Sequence, residues 1–139
     1  MRRPITIDRS NRGLVAEFLK NGGSSLQNFR YFSKRPLSVL DNHVVTLIFL
    51  DQDRPVCYGH LDRDGDRVWL GIAVIEKEIG KGWGKHMMDE LIDRARISAL
   101  GRIFLAVDRD NRRARALYES CGFEKTEDHA GYSVYELNL

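Results

Sequence analysis

Residues 68–95 read VWLGIAVIEKEIGKGWGKHMMDELIDRA: an apolar run, then Gly80, Gly82 and Gly84 at alternate positions, then a helical pattern. No other stretch restricts the fold so strongly. The run up to Ile75 suits a strand, and Met87, Met88, Leu91, Ile92 and Ala95 fall on one face of a helix. A strand that turns through glycines into a helix, followed by the strand pattern RIFLAVD, implies a crossover and a mixed α/β domain.

The flanking segments fit that frame. PITID is a candidate first strand. SNRGLVAEFLKNG is helical, with Leu14, Val15, Phe18 and Leu19 on one face and Gly22 and Gly23 as its stop. Residues 24–43 carry Phe29, Tyr31 and Phe32 and are interrupted by Pro36, which suits one or two short helical pieces plus loop. VVTLIFLD, PVCYGHLD and RVWLGIAVI form an antiparallel meander, with Asp64-Gly65 at the tip of its second turn. Beyond the glycine turn come GKHMMDELIDRARISALG as helix, RIFLAVD as strand, NRRARALYESCG as helix and YSVYELNL as strand. The 139 residues fit a single domain, 1–139.

Composition removes several functions. A net charge of +2 argues against a general nucleic-acid partner. No run approaches the roughly 18 apolar residues of a membrane helix. MRRPITIDRSNRG lacks the apolar segment of a signal peptide. Cys57 and Cys121 make no metal spacing. The expectation is a reduced, cytoplasmic protein with no metal site and no membrane partner.

Two known phosphate loops fail on the glycine turn. Counting back from Gly84-Lys85 puts Ile79 where a Walker loop needs Gly, and His86 stands where it needs Ser or Thr. A dinucleotide fingerprint starting at Gly80 needs Gly at 85, which is Lys. The physics survives both failures. A helix N-terminus offers unpaired N–H groups and the positive end of a dipole, and glycines let an anion approach the backbone. A tight turn alone needs one glycine, so three with Lys81 and Lys85 favour an anion site.

At these residues the chain resembles the GNAT acetyltransferases. AVIEKEIGKGWGKHMMDEL matches their strand–Gly-x-Gly-x-Gly–helix motif through Val74, Gly80, Gly82 and Gly84. NRRARALYESCGF, residues 111–123, matches every fixed position of their second motif, Asn-x-x-Ala-x-x-Leu-Tyr-Glu-x-x-Gly-Phe. There are two departures: Glu76 stands for the usual Pro and Ile79 for the usual Arg or Gln. The resemblance implies a GNAT-like mixed central sheet with flanking helices, and acetyl-CoA wedged between a splayed parallel strand pair, 68–75 and 103–108. It implies coenzyme contacts from the backbone of Ile72, Ala73 and Val74, from the turn Gly80–Gly84, from Lys85 and from Asn111. Lys81, Gly82, Trp83 and Gly84 belong to that turn, with Lys81 a substitute for the missing polar group at 79 and Trp83 packed beneath.

The implied reaction is attack of a neutral amine on a thioester, by direct transfer. Tyr118 matches the family tyrosine beside the sulfur and suits an acid for the thiolate. The Val74 N–H suits the oxyanion. His60, with Asp62 on its face by period two, is the candidate base, with a pH limb expected near about 6.5. His43 is expected exposed, His86 near the coenzyme and His129 near the cleft. Arg30, Tyr31, Lys34 and Arg35 suit a lid over the acceptor, and Trp69 its side wall. The acceptor is an amino sugar, a nucleotide-linked amino sugar, an amino acid or a protein amine. Arg112, Arg113 and Arg115 with Arg109 suit either the coenzyme's 3′-phosphate or a solvated helix face. A homodimer is left open, and the competing reading is a non-catalytic acyl-CoA sensor.

Overall fold

The computed structural model describes every residue except Met1, Asn28 and Arg30, and of Ser25 and Gln27 only the backbone. Seven strands form one sheet in the order β1-β2-β3-β4-β5-β7-β6. They are β1 (Pro4–Thr6), β2 (His43–Asp51), β3 (Arg54–Asp64), β4 (Arg67–Val74), β5 (Arg102–Asp108), β6 (Glu124–Asp128) and β7 (Tyr132–Asn138). Every neighbouring pair is antiparallel except β4 and β5. The helices are α1 (Gly13–Asn21), α2 (Trp83–Ile97) and α3 (Arg112–Ser120).

Local chemistry makes the meander. Gln52 and Asp53, at φ 52° and 66°, form the two-residue turn between β2 and β3. Positive φ at both centres matches the twist of the flanking strands. The next turn is Gly65-Asp66, with Gly65 at φ 64°, one residue later than Asp64-Gly65. Residues 23–42 hold three 3₁₀ turns, Gly23–Gln27, Tyr31–Ser33 and Leu37–Asn42. Strand β6 is absent from the sequence reading: EKTED is polar and mostly exposed, as an edge strand is, so it carries no apolar alternation.

The core lies on both faces of β3. Cys57, Gly59 and Leu61 face α2, where Met87, Met88, Leu91 and Ala95 are fully buried. A Cβ on Gly59 would stand 2.5 Å from Met87 Sδ, so glycine lets α2 lie close against the sheet. Tyr58 and Ala73 face α1, through Val15 and Phe18. Among the described residues no helix is long and apolar enough to cross a membrane.

Candidate active site

Strands β4 and β5 share one register pair, Trp69 with Phe104, and separate beyond it. A cleft of about 850 Å³ opens there, a volume typical of ligand sites. Ile75 N–H donates to Val56 O at 3.0 Å. Backbone groups alternate sides along a strand, so Ala73 and Gly71 also turn theirs to β3, opposite Tyr58 and His60. Ile72 and Val74 therefore direct N–H and C=O into the gap. Ala73 lines the cleft, but the sheet uses its backbone groups, which corrects its expected role.

The glycine turn closes one end. Gly80 and Gly82 have φ of 87° and 86°, a region that favours glycine. Gly82 caps α2 with no side-chain hydrogen bond, and the first turn holds no acidic residue. The opening N–H groups of α2 are thus left for an anion. A Cβ on Gly84 would stand in ordinary contact with Leu117, 3.5 Å away. Lys85 lines the cleft and pairs with Asp89 at 2.7 Å. Ile79 lines it 42% exposed.

Lys81 is not where it was expected. It pairs with Glu78 at 2.8 Å and lines a separate shallow dent with Arg2, Arg3 and Asp51. Its ammonium offsets Glu78 and does not substitute for a polar group at Ile79. Lys81, then the Trp83 indole, hold the Glu78 carboxyl below its ordinary value. Trp83 is buried beneath the turn against Phe49 and donates Nε1–H to Glu78 at 3.0 Å. The cation added to the cleft is Arg113, whose Nη1 lies 3.5 Å from where a Cβ on Gly80 would stand. Helical period could have separated it from its neighbours: Arg113, Ala114, Leu117 and Tyr118 share the cleft face of α3. Arg109 and Arg115 are engaged elsewhere, with Asp128 and with Arg109 O. Asn111 lines the cleft and caps α3, its Oδ1 accepting from Ala114 N–H at 3.2 Å.

Tyr118 projects from α3 into the cleft beside Phe123. Burial pushes its phenol up to about 12, so it stays protonated. Its hydroxyl has no hydrogen-bond partner among the described residues, which leaves it free to donate. Cys57 is buried against Trp83 O, and neither cysteine lines the cleft. Among the described residues no group of His, Cys, Asp and Glu could hold a metal ion.

The opposite end is aromatic and acidic. His60 is 2% exposed and lies over Gly71, where a Cβ would come within 2.5 Å of its Nε2. Tyr58 Oη lies 2.7 Å from His60 Nδ1. That buried hydroxyl has no other acceptor among the described residues, so it donates to Nδ1 and the imidazole proton sits on Nε2. Burial, then the nearby His43 and Arg35, hold the imidazole well below its ordinary value. This tautomer presents an N–H to the cleft, whereas a base needs a lone pair there. The expected base at His60, with its limb near about 6.5, is replaced by a neutral donor.

Asp62 shares the His60 face and lines the cleft beside it. Tyr31 Oη meets Asp62 Oδ2 at 2.9 Å and His43 Nε2 at 2.7 Å. A carboxylate only accepts, so Tyr31 donates to Asp62, His43 Nε2–H donates to Tyr31, and Thr46 Oγ1, at 2.8 Å, donates to His43 Nδ1. His43 is half-buried in this chain, not exposed. His86 is exposed beside Arg2, and His129 pairs with Glu127 and stacks on Tyr132; neither lines the cleft. Arg35 lines it, stacked 4.4 Å over Tyr31, and Lys34 does not. Arg30 lies outside the described residues. Glu76 has a use of its own: its carboxylate accepts from Ser24 and its N–H donates to Gly22 O, tying the aromatic segment to the end of β4.

Comparison with known proteins agrees with this geometry. The family model described as Acetyltransferase (GNAT) family matches residues 15–123. A mycothiol acetyltransferase of Beutenbergia cavernae is 40% identical over 55 residues, which are 40% of this chain and 18% of that relative. The chain therefore spans under a fifth of that relative's length. The GNAT domain of S. lividans PAT superposes with a TM-score of 0.85 at 15% identity, over 99% of this chain and 90% of that one. The yncA structure from Salmonella typhimurium with its cofactor acetyl-CoA superposes with a TM-score of 0.78 at 18% identity, over 99% and 94%. With a strand edge left open by the splay, an uncapped helix at the glycine turn and a family match over most of its length, the chain belongs to the GNAT acetyltransferase family.

Proposed function

We propose that this chain transfers the acetyl group of acetyl-CoA directly to a primary amine of a small molecule or a protein. One observation carries the reading: the open backbone edge at Ile72 and Val74 runs straight to the uncapped N-terminus of α2. An amide-bearing arm can add to that edge as a strand would, with its pyrophosphate on the Gly80–Gly84 turn between Lys85 and Arg113. Asn111 borders the same path.

The residues divide the work. Asp62, aligned by Tyr31, takes a proton from the incoming ammonium and passes it to solvent. The freed nitrogen pair forms the C–N bond at the thioester carbon. The N–H groups of Ile72 and Val74 stabilise the oxyanion, with Ile72 the nearer to His60, whose register partner is Gly71. The C–S bond breaks, its electron pair goes to sulfur, and Tyr118 donates the proton that the nitrogen's second proton replaces. The acceptor end offers Asp62, Asp64, Arg35 and the rings of Tyr31 and Trp69. That chemistry fits an amino sugar, free or nucleotide-linked, an amino acid or a protein amine.

Calorimetry with acetyl-CoA and thiol release across a panel of amines test this. Micromolar binding with amine-dependent release is expected. Absent binding refutes the reading, and binding without release under any amine makes the chain a sensor.

A further inference from the structure

The glycine turn is held from outside the cleft by a residue far away in sequence. Arg2 Nη2 donates to Lys81 O at 2.9 Å, across 79 positions. The guanidinium lies 3.7 Å over the Trp83 ring, and its Nη1 is 3.4 Å from His86 Nδ1. Arg2 lines the outer dent with Lys81 and Trp83, and does not line the cleft. Gly82 does line it.

A trans peptide points its C=O and the following N–H in opposite directions. With the Lys81 carbonyl bonded outward to Arg2, the Gly82 N–H points inward, and it has no acceptor among the described residues. Glycines at positive φ on either side, Gly80 and Gly82, leave the intervening backbone free to reorient. A reoriented Lys81–Gly82 peptide would present a carbonyl oxygen to an anion in place of an N–H.

We propose that Arg2 is a positioning residue for coenzyme binding: it holds the Lys81–Gly82 peptide in the orientation that aims the Gly82 N–H at the pyrophosphate. This rests on the reading that the glycine turn takes the pyrophosphate. The Trp83 ring serves as the platform on which the guanidinium is stacked, and Glu78 fixes the indole from its nitrogen edge. A Cβ on Gly82 would stand in ordinary contact with Arg2 Nη1, 3.5 Å away.

The test compares wild type with Arg2→Ala, each checked for folding by thermal denaturation. Acetyl-CoA affinity is measured by calorimetry at low and high salt, and turnover is measured with acetyl-pantetheine, a thioester without phosphates. Losing one N–H to a charged group predicts acetyl-CoA binding weakened about 10- to 100-fold. The loss persists at high salt, and acetyl-pantetheine turnover is unchanged. Equal acetyl-CoA affinity in the two proteins overturns the proposal alone. A loss confined to low salt also overturns it, because screening identifies simple charge attraction. Equal losses with acetyl-pantetheine overturn it too, since Arg2 would then support the whole site. Wild type that binds no acetyl-CoA refutes the pyrophosphate reading itself.

Discussion

Gly71→Ala puts a methyl group where the His60 ring already lies. An ideal Cβ there stands 2.5 Å from Nε2, 2.8 Å from Cε1 and 3.2 Å from Cδ2. Ordinary contact needs roughly another ångström at Nε2. The ring has no free direction of retreat. Its Nδ1 is bonded to Tyr58 at 2.7 Å, and the Tyr31 and His43 rings lie 4.4 and 4.6 Å from it. Overpacking of this kind costs about 1–3 kcal/mol. For a domain of this size that is a fall in Tm of roughly 3–10 °C. The cost belongs to the contact, so it should vanish where the ring is absent. A double-mutant cycle of Gly71→Ala with His60→Ala, read by urea unfolding, should give a coupling of about 1–3 kcal/mol. Acetyl-CoA affinity should stay near wild type, because the glycine turn is untouched, while kcat falls as the imidazole leaves the acceptor end. A coupling near zero, with Gly71→Ala as costly in the His60→Ala background as in wild type, would show that the ring does not lie over Gly71.

Tyr118→Phe keeps the ring and removes the donor, so kcat should fall about 10²–10⁴-fold with acetyl-CoA affinity preserved; a wild-type kcat would mean that the thiolate leaves unaided. Gly80→Glu places a carboxylate beside Arg113 Nη1, and calorimetry should find acetyl-CoA binding at least about tenfold weaker, since a charged hydrogen bond contributes about 1.5–3 kcal/mol; unchanged binding removes Arg113 from the phosphate site. His60 and His43 are held below the ordinary imidazole value by burial, so between that value and their folded ones the unfolded chain binds more protons and stability falls as pH drops below about 6.5. Urea midpoints at pH 7.5 and 5.5 should therefore differ less in His60→Gln than in wild type, and an equal difference refutes the neutral buried imidazole. Asp62→Asn should lower kcat/KM with acetyl-CoA affinity preserved; an unchanged kcat/KM assigns the proton to water.

Much of the fold was legible because its information is local. Apolar runs bounded by turn residues marked β2, β3 and β4, and period 3.6 marked α1 and α2. The glycines at 80, 82 and 84 announced a turn between a strand and a helix, and NRRARALYESCGF carried α3, with Tyr118 placed beside the cleft through the family resemblance. Strand β6 escaped because an edge strand needs no apolar face.

The site divided along the same line. Residue types at the glycine turn were readable, since positive φ and an open helix end depend on neighbours in sequence. The splay came only through the family resemblance and not from local spacing: it follows from one shared pair, Trp69 with Phe104, between strands that a helix separates. Tertiary packing alone brought Tyr31 to Asp62, across 31 positions, and Arg2 to Lys81. It also decided what His60 can do. Sequence supplied an imidazole of ordinary basicity on a strand; burial beside a tyrosine hydroxyl with no other acceptor among the described residues turned it into a neutral donor. A proton's position depends on every group within hydrogen-bond reach and on the water that packing excludes, and neither is encoded in local spacing.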